Sequence, residues 1–315
     1  MKPEIRTGFF PAAPVAMRRP GIYDEVANWR YAEWLCRHDI TGAAVWAHTG
    51  RGLLLDREVR IRCGQLWREA LGSRLMICGV GAAAGASEKE IIEAAVAMAE
   101  DARRCGADAL LAFPPQGLPA ADAEAGIVRY HEALTQVGLP VIAFYLYEQA
   151  GGISYTNEAL ARILELDGVV GIKTATLDSV MRFQEIAELM AAFPEKALLT
   201  GEDRMFGYTL MRGAQGALVG LGAVETELQL AMFKSWHSSD YKHFVQWARL
   251  VDYLAEAIFI QPMEGYVGRL LYALALRGII PPESAYDPWG PELSEWEKTR
   301  IKRVLELVDA CRKEA

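Results

Sequence analysis

The chain has 315 residues and a mass of 34.8 kDa, with 52% hydrophobic and 23% charged residues, enough for one large domain of βα-barrel size or two small ones. Its formal net charge of −8, with no long run of Lys or Arg, argues against a nucleic-acid or anionic-membrane partner. Five widely spaced cysteines (Cys36, Cys63, Cys78, Cys105, Cys311), the lack of an apolar signal segment after Met1 and the lack of any run of ~20 apolar residues lead us to expect a soluble, cytoplasmic protein without disulfides.

Short apolar runs alternate with longer amphipathic ones. A weak first strand is expected near Gly8-Phe9-Phe10, then Gly42 to Trp46, Leu75 to Val80, Ala109 to Phe113 and Val141 to Tyr145. Val169 to Ile172, Ala197 to Thr200 and Gly216 to Val219 complete eight. Each is too short for a helix, and continuous apolarity suits a strand buried on both faces. Between them, Ser87 with Glu90 forms a capping box before a helix over Ile91 to Cys105. Thr156-Asn157-Glu158 starts a helix reaching about Leu166, and Leu177-Asp178-Ser179 precedes one ending near Phe193-Pro194. Repeated βα units with eight buried strands predict a closed (β/α)8 TIM barrel over residues 1–224. After Val224 the strand signals stop. Helices are expected from Glu225 to Leu254, Gly265 to Arg277 and Ser294 to Cys311. With no linker before them, they read as a C-terminal helical extension, residues 225–315, packed on the barrel.

In such a barrel the reactive side chains belong at the carboxyl ends of the strands. Lys173 directly follows Val169-Val170-Gly171-Ile172. A lysine buried there loses solvation of its ammonium, so its pKa falls and more of it is the neutral amine that attacks carbonyls. The alternative is a lysine that snorkels to water or pairs with a carboxylate. Tyr145 closes the strand before, and His48 and Thr49 follow the second. A phenol hydrogen-bonded to a threonine hydroxyl is suited to moving protons during imine formation.

The pattern Tyr145, Gly152 and Gly171-Ile172-Lys173-Thr174-Ala175-Thr176 resembles the dihydrodipicolinate synthase / N-acetylneuraminate lyase family. Ala47-His48-Thr49-Gly50-Arg51-Gly52 falls where that family has a Gly-Thr-Thr-Gly-Glu-type loop, and Thr200-Gly201-Glu202-Asp203 falls at its seventh strand end. The resemblance covers nearly the whole chain. It implies a Schiff base of pyruvate or another 2-oxo acid on Lys173, with no separate cofactor, and Tyr145 as proton donor and acceptor. It also implies Thr49 as partner of both Tyr145 and the substrate carboxylate, with His48, Gly50 and Arg51 in the binding loop. Gly201 and Leu218 would shape the pocket near the imine. A homo-oligomer, dimer or tetramer, is implied as well. Phe144 competes with Tyr145 for the catalytic position when counted from Pro140, but only Tyr145 carries a hydroxyl.

The departures exclude a simple transfer of activity. His48 and Arg51 replace the usual threonine and glutamate, Ala150 falls where the synthases keep an arginine, and Pro115-Gln116 falls near their third relay residue. The reading is therefore an aldolase-type lyase other than dihydrodipicolinate synthase itself. Its rivals are a sugar-acid dehydratase on the same lysine and a barrel that binds a 2-oxo acid without turnover. The five histidines form no metal-binding spacing, so no metal is expected. The run Gly79 to Gly85 is better explained by strand–helix packing than by a dinucleotide.

Overall fold

Runs of apolar residues too short to bury themselves as helices pair edge to edge and close on themselves. The computed structural model describes residues 2–82, 85, 87–118 and 123–314. Its strands are β1 (Phe9–Pro11), β2 (Met17–Arg18), β3 (Ile22–Tyr23), β4 (Gly42–Val45), β5 (Leu75–Val80), β6 (Ala109–Ala112) and β7 (Val141–Leu146), followed by β8 (Val169–Ala175), β9 (Ala197–Thr200) and β10 (Gly216–Val219). Eight of them form one sheet in the order β1-β10-β9-β8-β7-β6-β5-β4, every paired neighbour parallel. A parallel bridge between Ala12 and Ala44, with Thr41 N–H donating to the Phe9 carbonyl at 3.1 Å, joins the two ends and closes the barrel. The expected (β/α)8 architecture is what the chain adopts. The small antiparallel pair β2–β3 was not anticipated, because two-residue strands leave no periodic signal.

Alternation along each strand divides the apolar residues into two sets. Phe10, Ile77, Leu111, Ile142, Phe144, Leu199 and Leu218 fill the barrel interior, while their neighbours Phe9, Met76, Leu110, Ala143 and Ala217 face the surrounding helices. The expected caps are formed. Ser87 Oγ accepts from Glu90 N at 3.3 Å, Thr156 Oγ1 from Ala159 N at 3.1 Å and Ser179 Oγ from Arg182 N at 3.2 Å. The glycine-rich run after β5 falls partly outside the described residues, at 83 and 84.

The extension departs from expectation at one point. The helix predicted from Glu225 to Leu254 is two helices, Thr226–His237 and Tyr241–Ile258. Ser239 adopts a left-handed φ of 61°, and the Asp240 carboxylate caps the second helix through His243 N. Helices Tyr266–Leu276 and Glu295–Glu314 follow as expected. Among the described residues, no helix is long and apolar enough to cross a membrane. All five cysteines are free, three of them buried.

One cation organises the extension. Arg269 is wholly buried and donates to Glu297 at 2.8 Å and to the carbonyls of Ile258, Ile260 and Pro262 at 2.8–3.0 Å. Removing one member of a buried pair strands the other. Arg269→Ala is expected to destabilise the fold by about 3–5 kcal/mol, measured by urea denaturation. A loss comparable to that of an exposed arginine, such as Arg303→Ala, would refute this role.

Candidate active site

Lys173 is the fifth of the seven residues of β8, directly beside Phe144 of β7 in the strand register. Its side chain points into the barrel mouth, is 7% exposed, and sets Nζ 3.8 Å from the centroid of the Phe144 ring. Among the described residues, no carboxylate oxygen lies within 4 Å of Nζ. The lysine therefore neither reaches water nor forms an ion pair. Loss of hydration pushes its pKa down to about 8, against the opposing pull of Asp203 and Glu202, both more distant. At pH 7 about one amine in ten is then neutral, compared with roughly one in three thousand for an ordinary lysine. Gly201 makes room for this side chain, since a Cβ there would fall 2.2 Å from Lys173 Cε.

The amine opens on a cavity of about 50 Å³. Across it stand Thr49, from the loop after β4, and Tyr266, from the extension. The Tyr266 hydroxyl lies 3.2 Å from Thr49 Oγ1 and 2.8 Å from His48 Nδ1. The Tyr266 hydroxyl donates to Thr49 Oγ1 and shares a hydrogen with His48 Nδ1, with the direction of that bond set by the imidazole tautomer, and the Thr49 hydroxyl can rotate to complement either arrangement. Burial holds the phenol well above its ordinary pKa, and the same effect takes His48 down to about 3, so both are neutral near pH 7. Stacking of the Tyr266 ring on His48, at 5.8 Å and 11°, and on Phe259, at 4.9 Å and 24°, fixes its orientation.

Two carboxyl groups follow β9. Glu202 accepts from Thr176 N at 2.7 Å and Leu177 N at 3.2 Å, holding the turn after β8, where Leu177 has a φ of 64°. Asp203 accepts from Leu221 N at 2.6 Å and lines the cavity. Burial pushes it up to about 7, opposed by that bond and by Lys173. Arg204 lines the same cavity and spends one N–H on the Phe259 carbonyl.

A buried, unpaired lysine at the end of a barrel strand, facing a hydroxyl pair, is a narrow arrangement; comparison with known proteins identifies the family of the chain. The model of the dihydrodipicolinate synthetase family matches residues 6–307. The chain belongs to that family. A 4-hydroxy-tetrahydrodipicolinate synthase of Anaplasma marginale is 26% identical over 310 residues, covering 98% of this chain and 97% of the relative. An uncharacterized DapA-like lyase of Chloroflexus aurantiacus is 27% identical over 212 residues, covering 66% and 67%. Among solved structures, dihydrodipicolinate synthase from Oceanobacillus iheyensis superposes with a TM-score of 0.82 at 17% identity, covering 97% of each chain. N-acetylneuraminate lyase from Mycoplasma synoviae superposes with 0.77 at 19%, covering 95% of this chain and 97% of that one. Family membership makes the chain a lyase-type enzyme.

Within that family frame, the expected site residues divide. Lys173, Thr49, His48 and Gly201 meet on one cavity. Tyr145 does not reach it, a correction that follows from strand alternation: Phe144 and Leu146 face inward, so Tyr145 faces out. There it packs edge-on against Tyr155 at 6.1 Å and under the Arg182 guanidinium at 5.1 Å. Arg51 is also corrected. It is buried and forks onto Asp287 of the extension at 2.5 and 3.3 Å, with a further bond to the Glu264 carbonyl at 2.9 Å, so its charge is spent within the fold. Gly50 shapes the loop turn through its N–H to the Ala47 carbonyl, and Leu218 belongs to the packed barrel interior; neither forms the cavity wall. Tyr266, Arg204 and Tyr147 were missed. Tyr266 lies in a helix whose periodicity marks it as a core position, and nothing local distinguishes it from one.

The charge of Asp203 favours the ammonium form of Lys173, whereas burial opposes it. Asp203→Asn is therefore expected to lower the Lys173 pKa further. Amine-reactive labelling against pH, read by peptide mapping, should show the Lys173 midpoint at lower pH in the variant. An unchanged or raised midpoint would show that Asp203 does not act on the lysine.

Proposed function

We propose that this family member condenses Lys173 with pyruvate or a close 2-oxo acid and makes or cleaves a C–C bond beside the resulting imine. The observation that carries this reading is the buried, unpaired amine of Lys173 facing a chamber sized for a few heavy atoms. The neutral amine attacks the 2-carbonyl, and the carbinolamine loses water, which requires a proton at the departing hydroxyl and removal of one from nitrogen. Tyr266, held by Thr49 and His48, is the group positioned to move those protons. Thr49 and Arg204 supply the donor and the cation for the substrate carboxylate. The protonated imine then withdraws electrons from the bond at C3, where an enamine forms.

Dihydrodipicolinate synthase activity itself is disfavoured. Ala150 and Gln116 stand where a second carboxylate and a relay tyrosine would be handled, and Arg51 is bound to Asp287. A sugar-acid dehydratase would use the same lysine, but the neighbouring chamber is predominantly apolar and offers little to a chain of hydroxyls.

Reduction with cyanoborohydride in the presence of pyruvate is expected to add the reduced pyruvyl group to Lys173, located by peptide mass mapping. The rate of trapping should rise with pH through a midpoint near 8 and level off about one unit above it, because the amine is half neutral at its lowered pKa. An ordinary lysine would keep rising toward its pKa of about 10.4. Lys173→Ala should abolish the adduct on folded protein, and trapping at another lysine would defeat the assignment. For the proton relay, Tyr266→Phe should lower kcat by about 100-fold or more, whereas Tyr145→Phe should remain near wild type. The reverse ranking would restore the strand tyrosine to the chemistry.

A further inference from the structure

A second chamber adjoins the one at Lys173, and its lining restricts what the second substrate can be. It is larger, about 240 Å³, and shares His48 and Leu146 with the inner chamber of about 50 Å³. The two lie side by side, with His48 and Leu146 as their common wall. The outer wall is built by Leu53, Leu54, Phe113 and Pro114, together with the shared Leu146.

Its polar groups are few and largely engaged. Among the described residues Arg51 is its one charged lining residue, and that charge is paired with Asp287 through Nε and Nη2, with Nη2 also on the Glu264 carbonyl. The Gln116 amide donates to the Gly151 carbonyl. His48 has Nδ1 on the Tyr266 hydroxyl, and burial keeps the ring neutral. Arg204, the cation with donors to spare, lines the inner chamber and not the outer one. A carboxylate in the outer chamber would thus lose water and find no counter-charge, and a polyhydroxylated chain would face alkyl and aromatic walls. A flat apolar group would instead pack against Phe113, whose ring is tilted on Phe144 with centroids 5.8 Å apart.

We infer that the second substrate is an uncharged aldehyde carrying an apolar, ring-sized body. This rests on the Schiff-base reading of Lys173. The enamine C3 bonds to the aldehyde carbon, and the carbonyl electron pair moves to the aldehyde oxygen, which takes up one proton. Water then hydrolyses the imine, releasing a 4-hydroxy-2-oxo acid and the free Lys173 amine. Cleavage is the same sequence reversed. His48, on the wall common to the two chambers, and Tyr266, bonded to it, are the neutral groups nearest that boundary that can exchange a proton with this oxygen.

The test has two arms on the full-length protein. Cyanoborohydride trapping with pyruvate alone reports the lysine. Aldol turnover with saturating pyruvate, followed by product mass, compares benzaldehyde and isovaleraldehyde with glyceraldehyde and succinic semialdehyde. The apolar aldehydes are expected to be preferred by about tenfold or more in kcat/KM, the order of discrimination that pocket contacts supply. Leu54→Arg, at a half-exposed position on the outer wall, should shift the preference toward succinic semialdehyde, with thermal melting used to show that the variant is folded. Trapping of pyruvate together with equal or better use of the charged or polyol aldehydes would overturn the substrate class and leave Lys173 standing. Trapping with no aldehyde consumed would overturn it as well. Absence of trapping would overturn the Schiff-base reading itself.

Discussion

Much of this molecule follows from placing a primary amine inside a barrel without a carboxylate beside it. An ammonium in that position gives up hydration and recovers little, since the nearest compensations are the face of Phe144 and two carboxyl groups beyond ion-pair distance. Burial wins over these attractions, as the downward shift to about 8 records. The rest of the site accommodates that side chain. Gly201 vacates the space beside Cε, Glu202 is turned onto the Thr176 and Leu177 amides, and Asp203 is held by Leu221 N–H at a distance that tempers the amine without neutralising it.

The barrel alone does not finish the site. The phenol opposite Lys173 comes from helix Tyr266–Leu276, and its seat is fixed by contacts that cross from barrel to extension. His48 and Thr49 meet the Tyr266 hydroxyl, Arg51 clasps Asp287, and Arg269 binds the carbonyls just before that helix. In the loop after β4, Arg51 is engaged in holding the extension, so its charge is paired within the fold. Stability and chemistry share the same side chains here, so mutational effects at Arg51 or Asp287 will combine both.

How much of this could be read from the sequence depends on the kind of signal each feature leaves. The eight strands were legible because burial on both faces leaves uninterrupted apolar runs. Helix starts at Ser87, Thr156 and Ser179 were legible because capping is local chemistry. Lys173 could be found because a lysine ending an apolar strand conflicts with its surroundings. The choice between Phe144 and Tyr145 failed because it was made on chemical competence, whereas the two-residue period of a strand decides which side chain faces inward. Counting alternation back from Lys173 through the paired strand would have favoured Phe144, its direct neighbour in register. Tyr266 and the Arg51–Asp287 fork were beyond reach, since residues 217 and 236 positions apart come together only through the packing of the extension.

The position of Tyr266 in the chain also has a consequence for synthesis. The ribosome releases the eight barrel strands by residue 219, with the reactive lysine already among them, but the phenol emerges almost fifty residues later and is secured only once Glu297 has docked on Arg269. If Tyr266 is the proton-transfer partner proposed for Lys173, condensation would wait until the last helices are in place, and a chain cut short before them would carry the amine without that phenol.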